Sequence, residues 1–152
     1  MAARVGGQKM PSLLDFEGRW RLSRKIADAL GPDAAFDGIA VFCRDAEGLH
    51  LRETGYFELA GQGRFQAERS YLWRADGAEI VVLFADGRDF HRFDPQAGQA
   101  RADHWCDPDT YKVSYDFTDW PVWRAQWRVT GPRKDYVMLS EYRPETGISV
   151  PE

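Results

Sequence analysis

The chain has 152 residues, with 20 basic and 24 acidic side chains and a formal charge of −4. That is one domain's worth of sequence without the dense basic face of a nucleic-acid binder, and no apolar run approaches the ~20 residues of a membrane-spanning helix. Its aromatic content, 6 Trp, 6 Tyr and 9 Phe, favours strands and offers side chains that join an apolar body to a polar tip.

Residues 1–10 lack the apolar core of a signal peptide and read as a disordered leader before a single domain spanning 11–152. Pro11 to Phe16 suits one short helical turn that plugs a barrel end. Ten strand-like runs follow: 18–26, 36–43, 49–59, 64–74, 78–85, 89–93, 99–106, 111–118, 122–129 and 134–143. They are punctuated by turn residues such as Asp76-Gly77 and Asp86-Gly87. Ile26, Ala27 and Leu30 also have helical spacing, so a short helix or lid is expected within 26–35. The fold class is all-β: a closed antiparallel up-and-down barrel of about ten strands, whose closure removes exposed edges.

Alternation assigns the two faces. Trp20, Leu22, Arg24 and Ile26 point inward, as do Phe65, Ala67, Arg69, Tyr71 and Trp73. Tyr111, Val113, Tyr115 and Phe117 form a third inward set, and Trp123, Ala125, Trp127 and Val129 a fourth. An arginine inside a barrel needs a partner. For Arg24 and Arg69 that partner is either an internal carboxylate (Glu53, Glu58 or Glu141) or an acidic ligand, with tyrosine hydroxyls helping to hold it.

The segment from His104 to Tyr111 concentrates the reactive chemistry. His104 and Cys106 share one side of a strand, and Asp109 and Tyr111 follow a tight turn. A metal site with His91, a Cys–His pair, contact with a ligand, and a purely structural role all remain open at this stage. Signatures of nucleotide binding and of serine hydrolases are absent.

Gly18-x-Trp20 on the first strand, followed by this meander, resembles the calycin group, the lipocalins and fatty-acid-binding proteins. The resemblance implies a basic residue from the last strand packed across Trp20, best matched by Arg143, with Arg133 or Lys134 as alternatives; the middle lipocalin motif Thr-Asp-Tyr is missing. It also raises haem held by His104 or His91. Arg69-x-Tyr71-x-Trp73, His104-x-Cys106-x-x-Asp109-x-Tyr111 and Gly131-Pro132-Arg133-Lys134-Asp135-Tyr136 resemble an uncharacterised bacterial barrel family, a domain of unknown function.

The expected function is non-enzymatic binding of a small amphipathic or acidic organic ligand inside an aromatic-lined barrel. Arg24, Arg69, Tyr71, Trp73, His104, Tyr111 and Tyr115 are the candidate ligand-binding residues. The alternatives are a filled structural or interaction barrel, and an enzyme using His104 and Tyr111 for proton transfer. The expected partner is a small molecule, with neither nucleic acid nor membrane. Cofactor and oligomeric state are not specified by the sequence. Cys43 and Cys106 are read as reduced thiols in a cytoplasmic protein, with a disulfide between them as the alternative.

Overall fold

A computed structural model describes residues 4–5 and 8–145. Ten strands form one sheet: β1 (Gly18–Asp28), β2 (Ala34–Arg44), β3 (Gly48–Leu59), β4 (Gly63–Asp76), β5 (Glu79–Phe84), β6 (Asp89–Phe93), β7 (Gln99–Cys106), β8 (Asp109–Asp116), β9 (Trp123–Gly131) and β10 (Lys134–Pro144). Their order is β6-β5-β4-β3-β2-β1-β10-β9-β8-β7, antiparallel throughout. The barrel is thus nearly closed. Every neighbouring pair shares a ladder except β6 and β7; across that junction Phe90 of β6 meets the His104 ring of β7 at 5.3 Å between centroids, and Phe93 of β6 stacks on Tyr115 of β8 at 4.2 Å.

Alternation explains the core. Trp20, Leu22 and Arg24 on β1 are buried while Arg19, Arg21, Ser23 and Lys25 are exposed. The same inward phase buries Leu49, Leu51 and Glu53 on β3, and Met138, Ser140 and Tyr142 on β10. At one crossing Gly38 and Gly55 face each other across β2 and β3. A Cβ on either would collide with the other strand's backbone, so glycine is required there for the strands to pair.

One end of the barrel is plugged. Leu13–Phe16 forms a 3₁₀ turn, and the fully buried Phe16 ring lies within 5.0–5.8 Å of Phe42, Trp73, Phe117, Trp120 and Trp123. Trp20 donates its indole N–H to the Phe16 carbonyl at 2.9 Å. Of the expected leader, residues 1–3 and 6–7 lie outside the described residues; Arg4–Val5 pairs with Gln8–Lys9, and Met10 is fully buried in the core.

Two expectations are corrected. No helix forms within 26–35: β1 continues to Asp28, because Ile26 and Ala27 pair with β10, and Ile26 with β2 as well. Arg143 does not cover Trp20. It follows the inward Tyr142, so parity turns it outward, where it bonds Glu141 at 2.9 Å; the rings of Phe16, Trp120 and Trp123 pack on Trp20 instead. Cys43 and Cys106 are free and exposed, so the disulfide alternative does not occur.

Candidate functional site at the open end

The end opposite the plug carries the turns β1–β2, β3–β4, β5–β6, β7–β8 and β9–β10. Phe90 on β6 sits at its centre. Its ring stacks on Phe84 at 4.6 Å, and the rings of Trp127, His104 and Tyr111 lie at 5.2, 5.3 and 5.6 Å. The Arg69 guanidinium lies 5.9 Å from the Trp127 ring centroid. Arg69 has the inward phase of β4 but is exposed, since the strand runs on past the barrel rim; the expectation of an enclosed Arg69 is corrected accordingly. It makes no ion pair with any described residue, whereas Lys134 at the same end is held by Asp109 at 2.9 Å. Burial raises the Tyr71 phenol above its ordinary range, and the Arg69 charge beside it partly offsets that rise.

The deeper candidates have other duties. Arg24 is buried and saturated: Nη1 lies 3.0 Å from Glu53 Oε1, Nε donates to Ser140 Oγ at 2.7 Å, and Nη2 to the Tyr142 hydroxyl at 3.2 Å. Tyr142 in turn donates to Glu53 Oε2 at 2.6 Å. Burial alone would depress the Arg24 pKa, but the Glu53 charge outweighs it and the guanidinium stays firmly protonated. The internal-carboxylate alternative therefore holds for Arg24, with Glu53 as the partner. Trp73 belongs to the core around Phe16 and Phe42. Tyr115 is buried and hydrogen-bonded to His91 Nε2 at 2.8 Å.

The barrel is packed. Its interior cavity has room for about 20 Å³, too little for a whole organic ligand among Arg24, Trp73 and Tyr115 or for haem on His91, because aromatic side chains fill that space. Among the described residues no three His, Cys, Asp or Glu side chains gather into a metal-binding group. A larger concavity of about 600 Å³ lies on the outer face of β7–β10 and β1, with Ser114 and Gln126 among its polar side chains. Sequence reading missed Phe90 as the floor of the open end. Phe90 and His91 are consecutive and both buried, beside an irregular register between Val82 and Leu83, and this breaks the alternation that located the other inward residues.

His91 has a consequence for acid stability. Burial, with the neighbouring His104, lowers its pKa from 6.5 to about 3. Above pH 6.5 the imidazole is neutral in both states; below it, the unfolded chain takes up a proton that the folded barrel refuses. Stability is therefore expected to fall as pH drops from 6.5 toward 3, at up to ~1.4 kcal/mol per pH unit from this residue. Urea midpoints at pH 7, 5.5 and 4 should show a flatter acid slope for His91→Gln, which keeps a partner for Tyr115. An unchanged slope would assign the acid sensitivity elsewhere.

Residues 16–144 match the model of a family of unknown function, DUF6314. The chain belongs to this family. No curated protein matches the sequence. Two solved structures share the barrel of this DUF6314 chain. The S-type phycobiliprotein lyase CPES from Guillardia theta is 10% identical with a TM-score of 0.60, over 88% of this chain and 90% of that one. A protein of unknown function from the DUF3598 family of Nostoc punctiforme is 14% identical with a TM-score of 0.52, over 91% of this chain and 52% of that one, so the DUF6314 chain spans about half its length. Identities this low establish the shared fold. Among the described residues no helix is long and apolar enough to cross a membrane.

Proposed function

We propose that this DUF6314 chain binds a small, flat, acidic organic molecule across the open end of its barrel. Arg69 holds the acid group, Tyr71 and Tyr111 offer hydroxyls, and Trp127, His104 and Phe90 form an apolar platform. One observation carries the reading: Arg24 is saturated by Glu53, whereas Arg69, which also has the inward phase of its strand, lies over an aromatic ring with no carboxylate partner among the described residues. A guanidinium so placed suits a planar carboxylate, which it can meet with two parallel hydrogen bonds while the ligand's apolar body lies on the rings. The fold shared with a phycobiliprotein lyase supports small-molecule handling, and makes a bilin one acidic, conjugated probe to try. Two exposed free thiols suit a cytoplasmic location.

The packed interior favours a second reading, in which the barrel is an interaction module without a small ligand. Native mass spectrometry of the purified protein, with titration of 2-naphthoate and biliverdin, separates the two. On the ligand reading a small molecule co-purifies or a probe binds, and Arg69→Met weakens binding about tenfold to a hundredfold, the worth of a charge-assisted hydrogen bond. Binding that is indifferent to Arg69→Met removes the proposed site. No bound mass and no probe binding leave the interaction module.

A further inference from the structure

Among the described residues, four buried side-chain atoms have no hydrogen bond of good geometry: Glu53 Oε1, His91 Nδ1, Trp123 Nε1 and Asp135 Oδ1. Asp135 has an ion pair with Arg128 at the surface. The other three belong to residues that line the 20 Å³ interior cavity, although they come from β3, β6 and β9. Glu53 Oε1 has the Arg24 ion pair alone; His91 Nδ1 and Trp123 Nε1 have neither hydrogen bond nor ion pair. Residues that bring an N–H and two acceptor-capable atoms to the lining of one small space can supply the two to four partners that a buried oxygen needs, and 20 Å³ admits one such atom and not two.

We propose that this cavity is a site for a single neutral oxygen: a water molecule in the free barrel, and the hydroxyl or carbonyl end of a ligand in the loaded one. The water stands by itself; the ligand end rests on the open-end reading above.

Charge restricts the occupant to neutral groups. A carboxylate would lie beside Glu53, and a cation would compete with Arg24 for the one Glu53 charge, so either intruder would be buried without a counter-charge of its own. His91 stays uncharged and the buried Tyr115 and Tyr142 stay protonated, so apart from Glu53, whose charge is matched by Arg24, the surrounding hydrogen-bonding groups are neutral. The route inward is short. Tyr71, Phe90 and Trp127 line the cavity from one side and form the floor of the open end on the other. Phe90, the partition, sits on β6, one of the two strands with a ladder on one side only, next to an irregular register with β5. A ligand that satisfies both ends carries an acid group toward Arg69 and an uncharged oxygen at its far end.

Water-selective NOE and ROE spectra of the intact ¹⁵N-labelled protein test the first half. The Trp123 indole N–H is expected to show contact with long-lived water; its absence overturns the proposal and leaves the open-end reading untouched. The second half compares 2-naphthoate with 6-hydroxy-2-naphthoate in the wild type and in Phe90→Leu, which relaxes the partition while keeping it apolar. The hydroxylated probe is expected to bind Phe90→Leu about tenfold tighter than the parent acid, the worth of one net hydrogen bond, and to erase the water contact. Equal affinity with the water contact retained overturns the ligand end. Water at Trp123 with neither acid bound to either protein supports the hydration site and overturns the open-end reading, together with the ligand end that rests on it.

Discussion

Glu53→Ala is expected to destabilise the protein by about 3–5 kcal/mol, because it leaves the Arg24 charge buried with no counter-ion. Arg24 and Glu53 come from β1 and β3, and both are nearly fully buried. Ser140 and Tyr142 would remain as neutral partners for the guanidinium, so the penalty falls short of an isolated charge in a dry core. The double replacement Arg24→Met with Glu53→Leu should restore most of the loss, since a buried ion pair exchanged for apolar groups of similar volume is often neutral or better. Urea midpoints at pH 7 for the single, the other single and the double variant give the coupling directly. A Glu53→Ala cost below ~1 kcal/mol would mean that water reaches Arg24, and the pair could no longer be called an interior one.

Trp20→Ala should cost a similar amount, about 3–5 kcal/mol, the usual range for truncating a buried tryptophan. The loss has two parts. The indole's contacts with Phe16, Trp120 and Trp123 disappear, and so does its hydrogen bond to the Phe16 carbonyl, which ties the 3₁₀ plug to β1. Near-UV circular dichroism should lose intensity along with the shift in midpoint, because the six rings around Phe16 share one asymmetric environment. A cost under ~1 kcal/mol would show that the plug, and with it the calycin-like beginning at Gly18-x-Trp20, contributes nothing to closing the barrel.

Alternation and turn chemistry made most of the barrel readable, down to the inward phase of Trp20, Leu22 and Arg24 and the helical turn before Gly18. The failures have physical causes. Ile26, Ala27 and Leu30 have helical spacing, yet Ile26 finds ladder partners on both flanking strands and Ala27 on β10, and tertiary pairing overrides a weak local preference. Arg143 was placed over Trp20 by resemblance, while its parity alone would have turned it outward. Whether an aromatic lines a cavity or fills it depends on barrel radius and on how rings interdigitate, quantities that no strand pattern carries; hence Trp73 and Tyr115 were expected at a ligand and lie in the core. Phe90 escaped because a bulge suspends the period-two rule where it mattered most.

The unlaced junction between β6 and β7 divides the chain into two meanders, residues 18–93 and 99–144, each a run of consecutive hairpins. Only the β1–β10 ladder stitches them together, and it joins residues far apart in the chain, such as Arg24 and Ser140, 116 positions from each other, with Trp20 and Pro144 farther still. Loop closure on that scale costs entropy before any contact repays it, whereas each hairpin closes cheaply. Folding of this barrel is therefore governed by a single long-range zipping event between two locally assembled ribbons, and substitutions along β1 and β10 should slow refolding while those along β5 and β6 chiefly hasten unfolding.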